Sequence, residues 1–209
     1  LPGAEPISGL PLARRIPAGS DVAAHTGALE GQDAGSQAVT LAAAVAPGMT
    51  VLDLCAGAGG KRLAMAAQMA NEGRIIASDV DRARLSRLAP RAEKAAATII
   101  ETRLLDPNRE VEALVDVQAD VVLIDAPCSG TGTWRRNPEA RWRLTPARLD
   151  RLIETQRHVL AIGAGAVKPD GALVYIVCSL LDGEGPAQVD AFLAAHPGWQ
   201  AEPLTLPFG

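Results

Sequence analysis

Residues 50–62 read TVLDLCAGAGGKR and bring together a short apolar run, a glycine-rich turn and the start of a helical pattern. The apolar run at 50–54 is typical of a buried strand closed by glycines. The spacing of apolar residues after Lys61 predicts a helix that reaches about Asn71. A strand that passes into a helix through a glycine turn is the opening of a βαβ unit. This stretch therefore predicts an α/β fold.

Strand-like and helix-like segments alternate along the rest of the chain. Further strands are predicted at 74–80, 97–101, 119–127 and 172–178. Helices are predicted at 31–46, 81–94, 146–168 and 186–196, with Asp81 and Thr145 as N-caps. Alternation of this kind predicts a doubly wound, mostly parallel sheet with helices on both faces.

The 209 residues are enough for one such domain with a real core. Residues 1–30 hold several Gly and Pro and predict an irregular N-terminal arm, which leaves residues 31–209 for the α/β domain. Few residues follow the segment WQAEPL at 199–204. We therefore expect the C-terminal edge of the sheet to be trimmed or absent.

Composition favours a soluble globular protein, with 48% hydrophobic and 21% charged residues. The chain has neither an apolar run of about 18 residues nor a signal-peptide pattern at its start, so we expect no membrane span. The three cysteines, Cys55, Cys128 and Cys178, form no Cys-x-x-Cys pair. This spacing argues against a metal site and against a disulfide framework, and it favours a reduced, cytoplasmic protein.

Each predicted strand is followed by an acid or a thiol. The groups in question are Asp53, Asp79, Asp106, Asp125 with Cys128, and Cys178. A single acid at a strand end is usually a turn or cap residue. Ligands of open α/β sheets, however, bind outside the carboxyl ends of the parallel strands. Five strands with this feature predict a ligand site at that edge.

The glycine loop at 55–61 differs from two common nucleotide motifs. Cys55 stands where a P-loop needs its first glycine, and Arg62 stands where Gly-x-Gly-x-x-Gly needs its third. A glycine turn at a helix N-terminus can still present backbone N–H groups to a carboxylate. Asp79, at the end of the next strand, is suited to accept hydrogen bonds from a ribose. A carboxylate plus a ribose predicts S-adenosylmethionine as the cofactor.

The loop after the fourth strand is rich in arginine although the chain carries a net charge of −4. Five arginines stand there against the single acid Glu139: Arg135, Arg136, Arg141, Arg143 and Arg148. Charge alone is equally consistent with RNA phosphate contacts and with a solvated loop. Trp134 and Trp142 lie in the same loop, and packing against the body is the favoured role for both, with base stacking as the alternative.

Several segments, in this order, resemble the Sun/RsmB family of RNA cytosine-5 methyltransferases. They are LDLCAGAGGK (52–61), SDVD (78–81), LLD (104–106), LIDAPCSGTGTWRRNPEARW (123–142) and VYIVCSLL (174–181). GQDAGSQ (31–37) is similar to the segment that precedes the cofactor loop in that family. The resemblance spans roughly residues 30–200 and identifies residues 31–209 as an S-adenosylmethionine-dependent catalytic domain.

The resemblance also implies roles for individual residues. The matching cofactor pocket consists of Cys55, Ala56, Gly57, Ala58, Gly59, Gly60, Lys61, Asp79, Asp106 and Asp125. The thiol that matches Cys178 is the family's nucleophile, and the one that matches Cys128 assists product release. RNA, and specifically ribosomal RNA, is the implied partner, with Arg135, Arg136, Arg141 and Arg143 as candidate contacts.

The chemistry of the residues agrees with this assignment. Cytosine C5 is a poor nucleophile, so the ring needs activation by thiolate addition at C6. Asp125 is placed to hold the N3–C4 edge of the pyrimidine. The Pro-Cys pair at Cys128 resembles the nucleophile of DNA cytosine-5 methyltransferases, whereas the match over the whole chain favours Cys178, which we expect to be the nucleophile. For Cys55 we expect a small buried hydrophobic role with only backbone contact to the cofactor.

The chain also departs from the family pattern. Gly57-Ala58 replaces the usual Ala-Pro, Val177 replaces a Thr, and 181–184 replace a Pro followed by paired acids. Two rival functions stay open from sequence alone. The first is a non-catalytic RNA-binding module with the same fold, and the second is a methyltransferase for small molecules, which the acidic net charge favours.

Overall fold

A computed structural model describes residues 3–25, 29–57, 59–204 and 206. The chain begins with strands β1 (Glu5–Ile7) and β2 (Leu10–Arg15), which form an antiparallel hairpin, followed by helix α1 (Ala34–Ala42). The prediction of an irregular arm is wrong for this hairpin. Leu10 and Ala13 of β2 are buried against Ala38 of α1, so long-range packing stabilises strands that Gly and Pro make hard to recognise.

The remaining elements follow the predicted alternation. They are β3 (Thr50–Asp53), α2 (Gly60–Gln68), β4 (Arg74–Asp79), α3 (Arg82–Leu85), α4 (Leu88–Lys94), β5 (Ile100–Leu104), α5 (Glu110–Ala113), β6 (Ala119–Asp125), α6 (Pro146–Ala166), β7 (Val167–Ile176) and α7 (Pro186–Ala195). The strands form one parallel sheet in the order β5-β4-β3-β6-β7. The predicted fold class, a doubly wound parallel α/β sheet, is confirmed.

The strand order reverses between β3 and β6, which are neighbours in the sheet. In this arrangement the chain runs outward through β4 to β5 and then returns to the centre. Asp53 of β3 lies in register with Leu123, and Asp125 of β6 lies in register with Ile176 of β7. The carboxyl ends of these strands therefore open on one crevice at the topological switch point, where doubly wound folds bind their ligands.

Apolar side chains cover both faces of the sheet. Leu52, Ile76 and Ile124 are fully buried on one face, and Val51 and Leu123 are buried on the other. Alternation along each strand sends neighbouring side chains to opposite faces, which is why central strands such as β6 are apolar almost throughout. Among the described residues, the structure contains no helix with the length and hydrophobicity needed to cross a membrane.

Several element boundaries differ from prediction, and α1 (Ala34–Ala42) is shorter than the helix predicted at 31–46. The helix predicted at 81–94 is divided into α3 and α4, the strand predicted at 97–101 is displaced to 100–104, and β7 begins before Gly171. A Cβ on Gly171 would lie 2.9 Å from the carbonyl oxygen of Asp120, so this close approach requires glycine inside the strand. Both predicted caps are confirmed, because Asp81 and Thr145 accept hydrogen bonds from the backbone N–H groups three residues on.

Candidate active site

The two thiols that follow β6 and β7 lie side by side. Cys128 Sγ and Cys178 Sγ are 3.3 Å apart, and both cysteines are free. Their approach follows from the topology, because β6 and β7 are adjacent parallel strands that end at the same level. Cys178 is exposed and Cys128 is half-buried. The structure thus brings together the two residues that the sequence predicted as nucleophile and assistant.

The contact between the thiols affects them in opposite directions. The hydrogen bond from Cys128 lowers the pKa of Cys178 from 9.0 to about 7, although burial and the charge of Asp125 act against the thiolate. The same contact, together with burial, raises the pKa of Cys128. At neutral pH Cys178 is therefore substantially thiolate while Cys128 keeps its proton. This asymmetry agrees with the predicted division of roles.

Asp125 forms an ion pair beside the thiols. Lys61 Nζ, in the first turn of α2, lies 2.6 Å from Asp125 Oδ2 at the end of β6. Both side chains stay partly exposed at the crevice. The positive charge of Lys61 also favours the thiolate form of Cys178. The sequence predicted Lys61 only as a cofactor contact. In the structure its ion pair also links the glycine loop to Asp125, beside the two thiols.

The glycine loop is held in place by Asp79. The backbone N–H of Gly57 donates to Asp79 Oδ2 at 2.7 Å, and that of Asp81 donates to Oδ1 at 2.9 Å. Gly57 and Gly59 adopt positive φ angles of 53° and 103°, and a Cβ on Gly59 would lie 2.4 Å from Leu88 Cδ1. Each oxygen of Asp79 keeps acceptor capacity for a further donor. Ala58, a predicted cofactor contact, lies outside the described residues.

The other predicted cofactor residues differ in burial and in hydrogen bonding. Ala56 is buried, and its backbone N–H donates to the Ser78 carbonyl oxygen at 2.8 Å. Burial, reinforced by the charge of Asp53, raises the pKa of Cys55 to about 12, which agrees with its expected role as a neutral buried thiol. Gly60 begins α2 at the crevice. Asp106 follows β5 and is exposed at the same edge.

Asp53 does not face the crevice, although the sequence grouped it with the other strand-end acids. Its side chain is fully buried and pairs with Arg62, whose Nη2 lies 2.5 Å from Asp53 Oδ2. The contact is a close ion pair without the alignment of a hydrogen bond. Arg62 also donates to the Cys55 carbonyl oxygen at 3.1 Å. Arg62, which stands in the third-glycine position, thus stabilises the glycine loop from its buried side.

The arginine-rich loop is built from two short 3-10 turns, Thr131–Thr133 and Pro138–Arg143. Arg136 forms an ion pair with Asp33, so part of its charge is neutralised within the chain. The Arg141 guanidinium carbon lies 4.5 Å from the centre of the Trp142 ring. Arg135 and Arg143 are exposed.

The two tryptophans of this loop are placed differently. Trp134 is half-buried, and its indole nitrogen is shielded from solvent, as expected for a residue that packs the loop. Trp142 is 77% exposed, so the packing role favoured from sequence is wrong for this residue. Packing geometry, which the sequence does not record, decides between them. Trp142 presents an open aromatic face beside exposed arginines.

Sequence reasoning missed a buried carboxylate behind the thiols. Glu184 is fully buried and accepts hydrogen bonds from Ser129, Ser179 and Gln156. The available signal was a serine directly after each of the two cysteines and an acid shortly after the second. Nothing in that spacing shows that the acid turns inward.

Comparison with known proteins identifies the family. A family model described as 16S rRNA methyltransferase RsmB/F matches residues 40–207. The chain belongs to the RsmB/F methyltransferase family. Ribosomal RNA small subunit methyltransferase B of Thermus thermophilus is 41% identical over 162 residues, which cover 78% of this chain and 39% of that protein. The probable ribosomal RNA small subunit methyltransferase B of Synechocystis is 39% identical over 176 residues, 83% of this chain and 39% of that protein.

Among solved structures, the crystal structure of PH0851 is similar over 100% of this chain and 48% of its own, with 32% identity and a TM-score of 0.88. The RsmB/F core described above therefore has the class I methyltransferase fold. The chain spans about two fifths of the length of the curated relatives it matches.

Proposed function

We propose that this chain is the catalytic core of an enzyme that transfers a methyl group from S-adenosylmethionine to C5 of a cytosine in RNA, specifically ribosomal RNA. The observation that carries the proposal is the 3.3 Å contact between Cys178 and Cys128 beside the Lys61–Asp125 pair. A reactive thiolate, a protonated thiol and an aspartate paired with a lysine are groups that suit the C6-addition chemistry.

The residues at the crevice fit S-adenosylmethionine. The glycine loop at the N-terminus of α2 suits the carboxylate of the amino-acid part, because helix N-termini and glycine turns present backbone N–H groups to anions. Asp79 has the remaining acceptor capacity to bind ribose hydroxyls. Asp106 is exposed at the neighbouring strand end and is available for the nucleoside part. When bound there, S-adenosylmethionine supplies the methyl group.

The chain's own residues then perform the covalent steps. Cys178 Sγ forms a bond to C6 of the cytosine, and the electron pair of the C5–C6 double bond moves toward C5, which takes the methyl group. Asp125 holds the N3–C4 edge and favours the electron-rich adduct, while the ion pair with Lys61 orients the Asp125 side chain. Loss of the C5 proton to a base and departure of Cys178 Sγ restore the aromatic ring. Cys128, which keeps its proton, assists this elimination by donating a hydrogen bond to the departing Cys178 Sγ.

The arginine-rich loop supports RNA as the substrate. Arg135 and Arg143 are exposed and available to phosphates, and the open face of Trp142 suits stacking on an unpaired base. Ribosomal RNA is favoured because the family description and the curated relatives name it. We expect an enzyme with this substrate to act in the cytoplasm.

The test is methyl transfer to a defined RNA. The chain is incubated with tritiated S-adenosylmethionine and a 16S rRNA transcript, the RNA is digested to nucleosides, and the labelled nucleoside is identified by mass spectrometry. We expect label in 5-methylcytidine, and we expect Cys178→Ala to abolish it. Arg74→Ala should retain the label, because Arg74 lies at the amino-terminal end of β4, away from the crevice. Label in another nucleoside would contradict the C5 chemistry. Tight RNA binding without transfer would support a non-catalytic RNA-binding module.

A further inference from the structure

Glu184 is the centre of a buried hydrogen-bond network behind the thiol pair. It lies in the short turn Asp182–Glu184 that follows β7, and its side chain has no exposed surface. Oε1 accepts from the Ser129 backbone N–H at 2.8 Å and from Gln156 Nε2 at 3.0 Å. Oε2 accepts from the Ser179 hydroxyl at 2.6 Å and from the Ser129 hydroxyl in a still shorter contact.

The donors come from the two loops that carry the cysteines. Ser129 directly follows Cys128, and Ser179 directly follows Cys178. Gln156 of α6 also donates to the Pro127 carbonyl oxygen at 2.9 Å, so it fixes the residue just before Cys128. The Glu184 carboxylate therefore connects the loops that carry the two thiols. It binds the serine that directly follows each cysteine.

Other contacts join the same two loops but do not involve the carboxylate. The Gly132 N–H donates to the Cys178 carbonyl oxygen at 3.0 Å, and the Leu180 N–H donates to Thr131 Oγ1 at 2.7 Å. They limit how far the loops can separate. The two serine hydroxyls also lie 3.1 Å from each other, and Ser179 Oγ accepts from the Leu181 N–H at 3.1 Å. Among these contacts, the Glu184 carboxylate is the group that binds both serines in the loops behind the thiols.

The carboxylate is ionised in this position. Burial acts to raise the pKa of Glu184, but hydrogen bonds from Ser129, Ser179 and Gln156 outweigh it and lower the pKa below its usual value. Within the described part of the chain no lysine or arginine pairs with it. A buried polar group without its partners is costly, so the network holds the four donors in a fixed arrangement.

We propose that Glu184 is a positioning residue that sets the separation and orientation of the Cys128–Cys178 pair. It acts through Ser129 and Ser179 and touches neither thiol. The proposal rests on the proposed function for its catalytic meaning, but the geometry it describes can be tested without RNA. Its consequence is that the thiol contact, and with it the reactivity of Cys178, depends on a residue that does not reach the crevice.

The test is the pH profile of Cys178 alkylation by iodoacetamide, followed by peptide mass spectrometry. Cys178 is surrounded by Cys128, Asp125 and Lys61, which the variants leave in place. Wild type is expected to show a midpoint near pH 7. Glu184→Ala is expected to move the midpoint toward 9.0, the ordinary thiol value. A full shift to 9.0 lowers the alkylation rate at pH 7 about fiftyfold, because the thiolate fraction at that pH falls from about one half to about one hundredth.

Two further variants separate positioning from charge. Glu184→Gln is expected to stay close to wild type, because its amide oxygen can accept from Ser129 N–H and Gln156 while its amide N–H groups donate to the serine hydroxyls. Asp182→Asn is the matched control, since Asp182 is an exposed acid in the same turn. It is expected to leave the profile unchanged.

An unchanged profile in folded Glu184→Ala, judged by circular dichroism, overturns the proposal. Where Glu184→Ala does not fold, the double variant Ser129→Ala and Ser179→Ala removes both hydroxyl donors and keeps the carboxylate. It is expected to shift the midpoint in the same direction, and an unchanged midpoint there also overturns the proposal. Because alkylation needs neither RNA nor methyl transfer, a wild-type chain that transfers no methyl group would contradict the proposed function alone.

Discussion

Cys128 and Cys178 follow adjacent strands, and their sulfur atoms lie 3.3 Å apart, within hydrogen-bonding distance. The hydrogen bond between them lowers the pKa of Cys178 and raises that of Cys128. Two chemically identical side chains thereby differ in the pKa of their thiols, as expected if Cys178 is the nucleophile and Cys128 the assisting thiol. The sheet topology supplies the proximity, and the loops behind the thiols supply the orientation.

The first prediction concerns the hydrogen bond between the two thiols. Cys128→Ala removes the donor to the thiolate, so the pKa of Cys178 should rise from about 7 toward 9.0. If the pKa rises fully to 9.0, alkylation of Cys178 at pH 7 should slow about fiftyfold, while the rate at pH 10 stays near wild type. Cys55 serves as an internal control, because its pKa of about 12 keeps it unreactive at neutral pH. An unaltered midpoint in Cys128→Ala would show that the thiol contact does not activate Cys178.

The second prediction concerns the buried pair of Asp53 and Arg62. Arg62→Met leaves the fully buried carboxylate without its counter-charge, and such a change costs about 3–5 kcal/mol of unfolding free energy. Urea unfolding followed by circular dichroism measures the change. Arg109→Met is the control, because Arg109 forms an exposed pair with Glu112 and its removal should leave the free energy of unfolding nearly unchanged. Equal losses of unfolding free energy in the two variants would contradict the stabilising role of Arg62.

The third prediction distinguishes Asp79 from Asp106 in cofactor binding. Asp79→Ala removes the acceptor that fixes Gly57 and the expected ribose contact, so affinity for S-adenosylmethionine should fall about tenfold to a hundredfold. Asp106→Ala should cost less, because its side chain makes no hydrogen bond or ion pair with other described residues. Isothermal titration calorimetry measures both. A larger decrease for Asp106→Ala would reverse the assignment.

The fourth prediction concerns RNA affinity and separates two neighbouring arginines. Arg135 is exposed, whereas Arg136 pairs with Asp33, so Arg135→Ala should weaken RNA binding more. The slope of log affinity against log salt should become shallower by about 0.7–0.9 for each phosphate that the variant no longer binds. Fluorescence anisotropy titrations at several salt concentrations give both quantities, with Arg74→Ala as the control. If Arg136→Ala had the larger effect, the ion pair with Asp33 would not persist when RNA binds.

The fold and the position of the site could be predicted because they depend on local signals. Apolar runs ending in an acid or a thiol, as at Asp125 and Cys178, mark the carboxyl ends of parallel strands, and topology then brings them together. The hairpin at 5–15 escaped prediction because its stability comes from packing against α1, which is distant in sequence.

The finer parts of the site depend on direction and burial, which a sequence does not encode locally. Asp53 and Asp79 are both strand-end acids, yet Asp53 turns inward to Arg62 while Asp79 holds the glycine loop. Glu184 receives hydrogen bonds from residues 5, 28 and 55 positions away, so no local pattern reveals the whole network. For the same reason Trp134 and Trp142 could not be told apart before their packing was known.

We propose that Cys178 attacks C6 of a cytosine in RNA. The most direct measurement is covalent trapping with RNA that carries 5-fluorocytosine, which blocks the final proton removal, in the presence of S-adenosylmethionine. Wild type, Cys178→Ala and Cys128→Ala are compared on denaturing gels. We expect a denaturant-resistant protein–RNA complex that is absent only with Cys178→Ala. A complex that survives Cys178→Ala and disappears with Cys128→Ala would contradict it.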